Sequence, residues 1–257
     1  MTSTGQAAGD SYRRVLPVMG TVTSFDVRRI RIDPDDAARA VEAACDWLRW
    51  VDATFSTYQP ESQLSRLRRG ELRLRDCDPQ VAVVLDLCAQ AAAETDGFFT
   101  ALIGGAVDPT GIVKGWAAQE ASVLLRRAGL SDHVVNAGGD VACAGEPGPG
   151  EPWRVGVADP YDRNRVLVVV PARDEGVATS GVAERGEHVI DPRTGAPATR
   201  LLSATVVGPD LTRADAYATA VIAGGDPQPS WFGRLDGYTL LTVDRAGVVR
   251  RSDGFPG

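Results

Sequence analysis

Apolar and polar positions follow a strand pattern along residues 12–32, where Val22, Phe25, Val27 and Ile30 carry the apolar beat and Gly20 breaks it. The period changes after Asp33-Pro34-Asp35-Asp36. Val41, Ala44, Cys45, Leu48 and Val51 then recur at helical spacing, with Asp33 placed as an N-cap and Pro34 suited to the first turn. The polar run 56–62 predicts a loop. A second helix is predicted from Asp78-Pro79 to Thr95, where Asp96-Gly97 stops it. A third is predicted from Gly115 to Ala128, closed by Gly129, and a fourth over 213–224. Strand patterns fall at 133–136, 140–144, 153–158, 165–170, 202–207 and 238–243. Glu146-Pro147-Gly148-Pro149-Gly150 reads as the turn within a hairpin. Ala-Gly-Gly-Asp occurs at 137–140 and again at 223–226, which is too short to define a repeat. No Pro/Gly/Ser linker divides the chain, so the pattern predicts one α+β domain over residues 12–251, with a flexible tail at 1–11 and a C-terminal tail at 252–257.

Composition narrows the function classes. Of 257 residues, 44% are hydrophobic and 24% charged, ordinary for a globular chain. A net charge of −7 argues against nucleic acid as the main partner, because phosphate neutralisation needs a basic surface. No uncharged stretch approaches 18 apolar residues, so membrane insertion is not expected. The first residues show neither an apolar signal core nor a cysteine for lipid attachment, and a cytoplasmic location is expected. Cys45, Cys77, Cys88 and Cys143 form no CxxC pair and are expected to be buried thiols in a reducing compartment. His133 and His188 lack finger-like zinc spacing. Among 27 basic residues only Lys114 is a lysine. That suggests a place where a compact ammonium is needed rather than arginine's planar fork, although codon bias would leave the same count.

Four segments carry chemistry-bearing residues. Asp108-Pro109-Thr110-Gly111 leads to Lys114 just before the third predicted helix, a setting in which free N–H groups attract anions; a plain glycine turn reads the same way. Asp215 and Thr219, four apart among small neighbours, share one helix face. A carboxylate beside a hydroxyl suits a hard cation such as Mg2+, while a capping aspartate with a threonine bonded back to its helix has the same spacing. Thr179-Ser180-Gly181 and Glu187-His188-Val189-Ile190-Asp191 place His188 near a strand end, as a general base, a ligand-binding group or a satisfied half-buried histidine. Asn136-Ala137-Gly138-Gly139-Asp140 is a tight turn or a place of close backbone approach.

Taken in order, these segments resemble the ApbE family of FAD:protein FMN transferases. The resemblance rests on Met19-Gly20-Thr21, Ser56-Thr57-Tyr58 with Glu61-Ser62 and Leu64-Ser65, Asp96 to Phe99, Asp108 to Trp116, Asn136 to Asp140, Thr179 to Gly181, His188 to Gly195 and Ala214 to Ala220, spread over about 200 residues. It implies largely antiparallel sheets flanked by helices. It also implies metal ligation by Asp215, Thr219 and the carbonyl of Gly111, and an FAD site lined by Met19, Tyr58, Thr100, Ala101, Asp108, Lys114, Ser180 and His188. The implied reaction moves FMN from FAD onto a threonine or serine hydroxyl of an acceptor protein with an FMN-binding domain and releases AMP, with Mg2+ as cofactor. For the proton of the acceptor hydroxyl, His188 is the first candidate, and Asp215 or water are the others. An FAD pyrophosphatase would use the same site with water as acceptor. A non-catalytic FAD carrier would have no need of the metal constellation.

Overall fold

The computed structural model describes residues 6–8, 10–162, 164–181 and 189–257. In chain order, β1 (Gln6–Ala8), β2 (Ser11–Val18) and β3 (Thr21–Arg28) lead into α1 (Pro34–Phe55), followed by α2 (Gln63–Arg68) and α3 (Pro79–Glu94). A small hairpin of β4 (Leu102–Ile103) and β5 (Ala106–Val107) precedes α4 (Thr110–Arg127). Then come β6 (Asp132–Ala137), β7 (Asp140–Ala144), β8 (Trp153–Ala158), β9 (Val166–Ala172), β10 (Gly176–Gly181) and β11 (Leu201–Gly208). The last elements are α5 (Leu211–Gly224), β12 (Thr239–Asp244) and β13 (Val249–Arg251).

Among the described residues a nine-stranded sheet runs in the order β1-β2-β3-β6-β7-β10-β11-β12-β13. Every pairing in it is antiparallel, in line with the α+β expectation. Side chains on its strands alternate between two cores, as the period of two requires. On one face, Phe25, Val135, Ala178, Ala204 and Val206 join a core with Leu48 of α1, Leu125 of α4 and Ile222 of α5. On the other, Val141, Val177, Val207, Leu241 and Val243 meet Trp153, Val157, Val168 and Val170 of the separate β8–β9 pair.

Local chemistry explains the elements that were expected. Asp33 and Asp78 each accept an N–H two residues on (2.9 Å), with proline next in the chain, and open α1 and α3. Along α1, Trp47 stacks on Trp50 (5.0 Å between ring centroids) and meets Trp116 edge-on (5.1 Å), while Phe55 lies 5.5 Å from Trp116. Trp47 also donates its indole N–H to the Ala117 carbonyl (3.1 Å).

Several expectations are corrected. Glu146–Gly150 is not a hairpin turn, because β7 lies in the large sheet and, among the described residues, β8 pairs with β9 in a separate sheet; the segment crosses from one layer to the other. The third helix begins at Thr110, so Gly111 and Lys114 lie within its first two turns rather than before it. Asp108 makes that start possible by accepting both the Thr110 N–H (3.1 Å) and its hydroxyl (2.6 Å). Gly111 serves packing there: a Cβ would lie 3.2 Å from both Phe99 and Thr219 side-chain carbons. Within residues 1–11, expected as a tail, Gln6–Ala8 pair with β2, and Phe255 beyond residue 251 is buried in the second core.

Candidate functional site

The site lies where α4, α5 and β10 meet. α5 is opened by Asp210, whose side chain accepts the Arg213 N–H (2.9 Å), so Asp215 does not cap the helix. It sits in the second turn, buried, and reaches across to α4, where one carboxylate oxygen accepts the Gly115 N–H (2.8 Å). That approach requires glycine, since a Cβ at 115 would stand 2.6 Å from the Asp215 Cβ and 2.8 Å from the Leu211 carbonyl oxygen. One turn further, Thr219 points the same way. Its hydroxyl lies 3.5 Å from the Gly111 carbonyl oxygen and 3.1 Å from the Ser180 hydroxyl. The threonine is thus turned toward α4 and β10. On another side of α5, Tyr217 donates to Glu94 of α3 (2.6 Å); burial first, then this bond, raises the pKa of the phenol.

A carboxylate, a hydroxyl and a backbone carbonyl therefore converge. All three are hard oxygen donors, the type that suits a cation such as Mg2+, which takes one or two protein carboxylates and fills its remaining positions from water or phosphate. These residues fit such an ion on donor chemistry alone.

A cavity of about 360 Å³ opens in front of this corner, lined by Tyr58, Thr100, Asp108, Lys114 and Ser180 together with Gly111, Asp215 and Thr219. A second lobe of about 530 Å³ includes Met19 and Phe55 and shares Thr57, Tyr58, Thr110 and Lys114 with the first. Eight of the site residues expected from sequence thus line the first lobe, and Met19 lines the second. Ala101 lines neither; its carbonyl accepts the Asp108 N–H (2.7 Å) beside the cavity. His188 lies outside the described residues, although Val189 and Ile190 line the first lobe.

Lys114 rises from α4 at the junction of the lobes and pairs with Asp140 of β7 at 2.8 Å. In the sequence, the Asn136–Asp140 turn is marked by its glycines, and nothing local gives Asp140 a role. The Gly115–Asp215 bond likewise has no local sign in the sequence. The lone lysine was the available signal for the first partner, and nothing local pointed to the second. The other candidate histidine, His133, is fully occupied: Nδ1 lies 2.7 Å from the Leu130 carbonyl oxygen and Nε2 2.8 Å from the Ser122 hydroxyl. Burial pushes its pKa down to about 4. The four cysteines are free thiols, with Cys77 half-buried and the others buried; burial raises Cys88 and Cys143 to about 12.

A cleft with an oxygen-donor corner, set beside an antiparallel sheet, can be compared with known proteins. The chain belongs to the ApbE family, matching it over residues 19–110 and 104–237. A relative from Klebsiella pneumoniae strain 342, named FAD:protein FMN transferase, is 33% identical over 159 residues, which cover 58% of this chain and 44% of that protein. One from Escherichia coli K12 with the same name is 33% identical over 151 residues, 55% of this chain and 43% of its own length. The chain thus spans less than half the length of these curated relatives. Among solved structures, the ApbE protein of Thermotoga maritima MSB8 superposes with a TM-score of 0.83 at 24% identity, over 95% of this chain and 97% of that one. Flavin transferase ApbE from Vibrio cholerae gives 0.76 at 20%, over 94% and 97%. These two likenesses concern the fold. No helix among the described residues is long and apolar enough to cross a membrane.

Proposed function

We propose that the protein transfers FMN from FAD to a threonine or serine hydroxyl of an acceptor protein carrying an FMN-binding domain, with release of AMP. The observation that carries this reading is the meeting of Gly111, Asp215 and Thr219 with Lys114 in one cleft of an ApbE-family fold. Mg2+ would be held by the Asp215 carboxylate, the Thr219 hydroxyl and the Gly111 carbonyl. When bound, it would supply charge neutralisation at the pyrophosphate being cleaved. Met19, Tyr58, Thr100, Asp108, Lys114 and Ser180 bind and orient the dinucleotide along the two lobes, with Ala101 fixing Asp108 from behind. Tyr58, 88% exposed, offers a ring face on which a base or flavin can stack. Proton removal from the acceptor hydroxyl is assigned to His188, with Asp215 or water in reserve. A cytoplasmic acceptor completes the proposal.

The test is to incubate the protein with FAD, Mg2+ and an FMN-binding acceptor domain, following acceptor mass and free nucleotides. A mass gain equal to FMN, with AMP released and both lost on chelation, is the expected result. Free FMN and AMP formed without acceptor would replace transfer by pyrophosphate hydrolysis. Bound FAD with no turnover would leave a carrier.

A further inference from the structure

The reaction above leaves one buried carboxylate behind the cleft wall without a task. Asp140 is fully buried, and it opens β7 directly after the two-residue turn Gly138-Gly139, both at positive φ (+60° and +103°). The turn is pressed against β3: a Cβ on Gly138 would stand 2.3 Å from the Thr21 hydroxyl oxygen. The location of Asp140 is therefore fixed by backbone. One of its oxygens lies 2.8 Å from the Lys114 ammonium, and the other accepts the Thr179 N–H of β10 (3.2 Å). The next residue on β10 is Ser180, whose hydroxyl faces Thr219. A single carboxylate so joins α4 to the strand that lines the opposite wall.

Burial of the Asp140 carboxylate calls for a charged partner, and the Lys114 ammonium supplies it. A buried ion that loses its partner costs several kcal/mol. A compact ammonium meets a single recessed oxygen more readily than a planar fork, which fits the presence here of the only lysine in the chain. We propose that Asp140 is a positioning residue: it anchors the Lys114 ammonium at the junction of the two lobes and, through Thr179, holds the Ser180 strand in register with α4. Its importance for flavin binding rests on the FAD reading; the anchoring itself does not.

The lone lysine makes the test specific. Acylation by N-hydroxysuccinimidyl acetate, read by peptide mass, reports the side-chain amine at position 114 and no other. Asp140→Asn retains an acceptor for Thr179 and removes the ion pair, and it should label about tenfold faster or more than the unaltered protein at the same pH. An unchanged labelling rate overturns the anchoring. FAD affinity by equilibrium dialysis supplies the second reading: Asp140→Asn combined with Lys114→Met should bind no more weakly than Lys114→Met alone, and additive losses overturn the coupling. If Asp140→Asn does not fold, the double variant should, because no ammonium then faces the uncharged amide; failure of that rescue overturns the pairing. Absence of FAD binding by the unaltered protein would defeat the FAD reading and leave the labelling result to decide the anchoring.

Discussion

The large sheet is covered by different means on its two faces. On one, the β8–β9 pair lays Val157, Val168 and Val170 over Val141, Val177, Val207, Leu241 and Val243, and cohesion comes from interdigitated apolar side chains. On the other, α4 and α5 come together at Gly111 and Gly115, close enough for the backbone of one helix to donate to a side chain of the other. Valine packing excludes polar groups because each would need a partner. Glycine contact brings backbone donors and acceptors within reach, so the helix seam can hold a carboxylate and a hydroxyl. The candidate chemistry lies where small residues let main chains approach.

The sharpest way to break this comparison is Asp215→Ala. The proposed transfer of FMN to an acceptor, followed by mass, should fall by about a hundredfold or more, the scale expected for loss of the proposed metal ligand. Activity that survives with its Mg2+ dependence intact would remove the seam from the mechanism. Next comes acid sensitivity. His133 packs between β6 and α4 with a pKa of about 4, below the ordinary 6.5, so the unfolded chain takes up its proton first. Its contribution is complete above pH 6.5 and is lost as pH falls toward 4, by about 3 kcal/mol at most. Urea unfolding between pH 7 and 4 should show this slope, and His133→Gln should flatten it. Gly115→Ala drives a methyl into Asp215 and should cost about 1–3 kcal/mol, read as an earlier urea midpoint. The smallest functional effect belongs to the far face. Val170→Ala should lower stability by about 1–2 kcal/mol and leave FMN transfer at saturating FAD unchanged. A transfer defect there would mean that the faces are coupled.

The elements legible in the sequence were those with local causes. Asp33-Pro34 and Asp78-Pro79 announce α1 and α3 because capping and proline geometry operate within a few residues. The strand at 140–144 was read at its observed bounds, and that at 153–158 likewise, from their apolar runs and flanking turns. The start of α4 is hidden in the sequence because Pro-Thr-Gly normally marks a turn; contact with Phe99 and Thr219 explains a glycine in that first helical turn. β10 is not legible as a strand in the sequence, since its two-sided pairing with β7 and β11 is a property of the assembled sheet. In the site, Asp215 and Thr219 were visible from their i,i+4 spacing. Asp140 beside Lys114, 26 positions away along the chain, and Gly115 beside Asp215, 100 away, depend on tertiary contact that no local pattern encodes.

The aromatic stack on α1 has a practical consequence. Trp50 and Trp116 each lie about 5 Å from Trp47, and Phe55, in edge contact with Trp116, forms part of the wall of the second lobe. Indole emission overlaps the near-ultraviolet absorption of an isoalloxazine ring. A flavin entering that lobe would draw off this emission, so the chain carries its own optical gauge of occupancy, and titration could proceed without any attached dye.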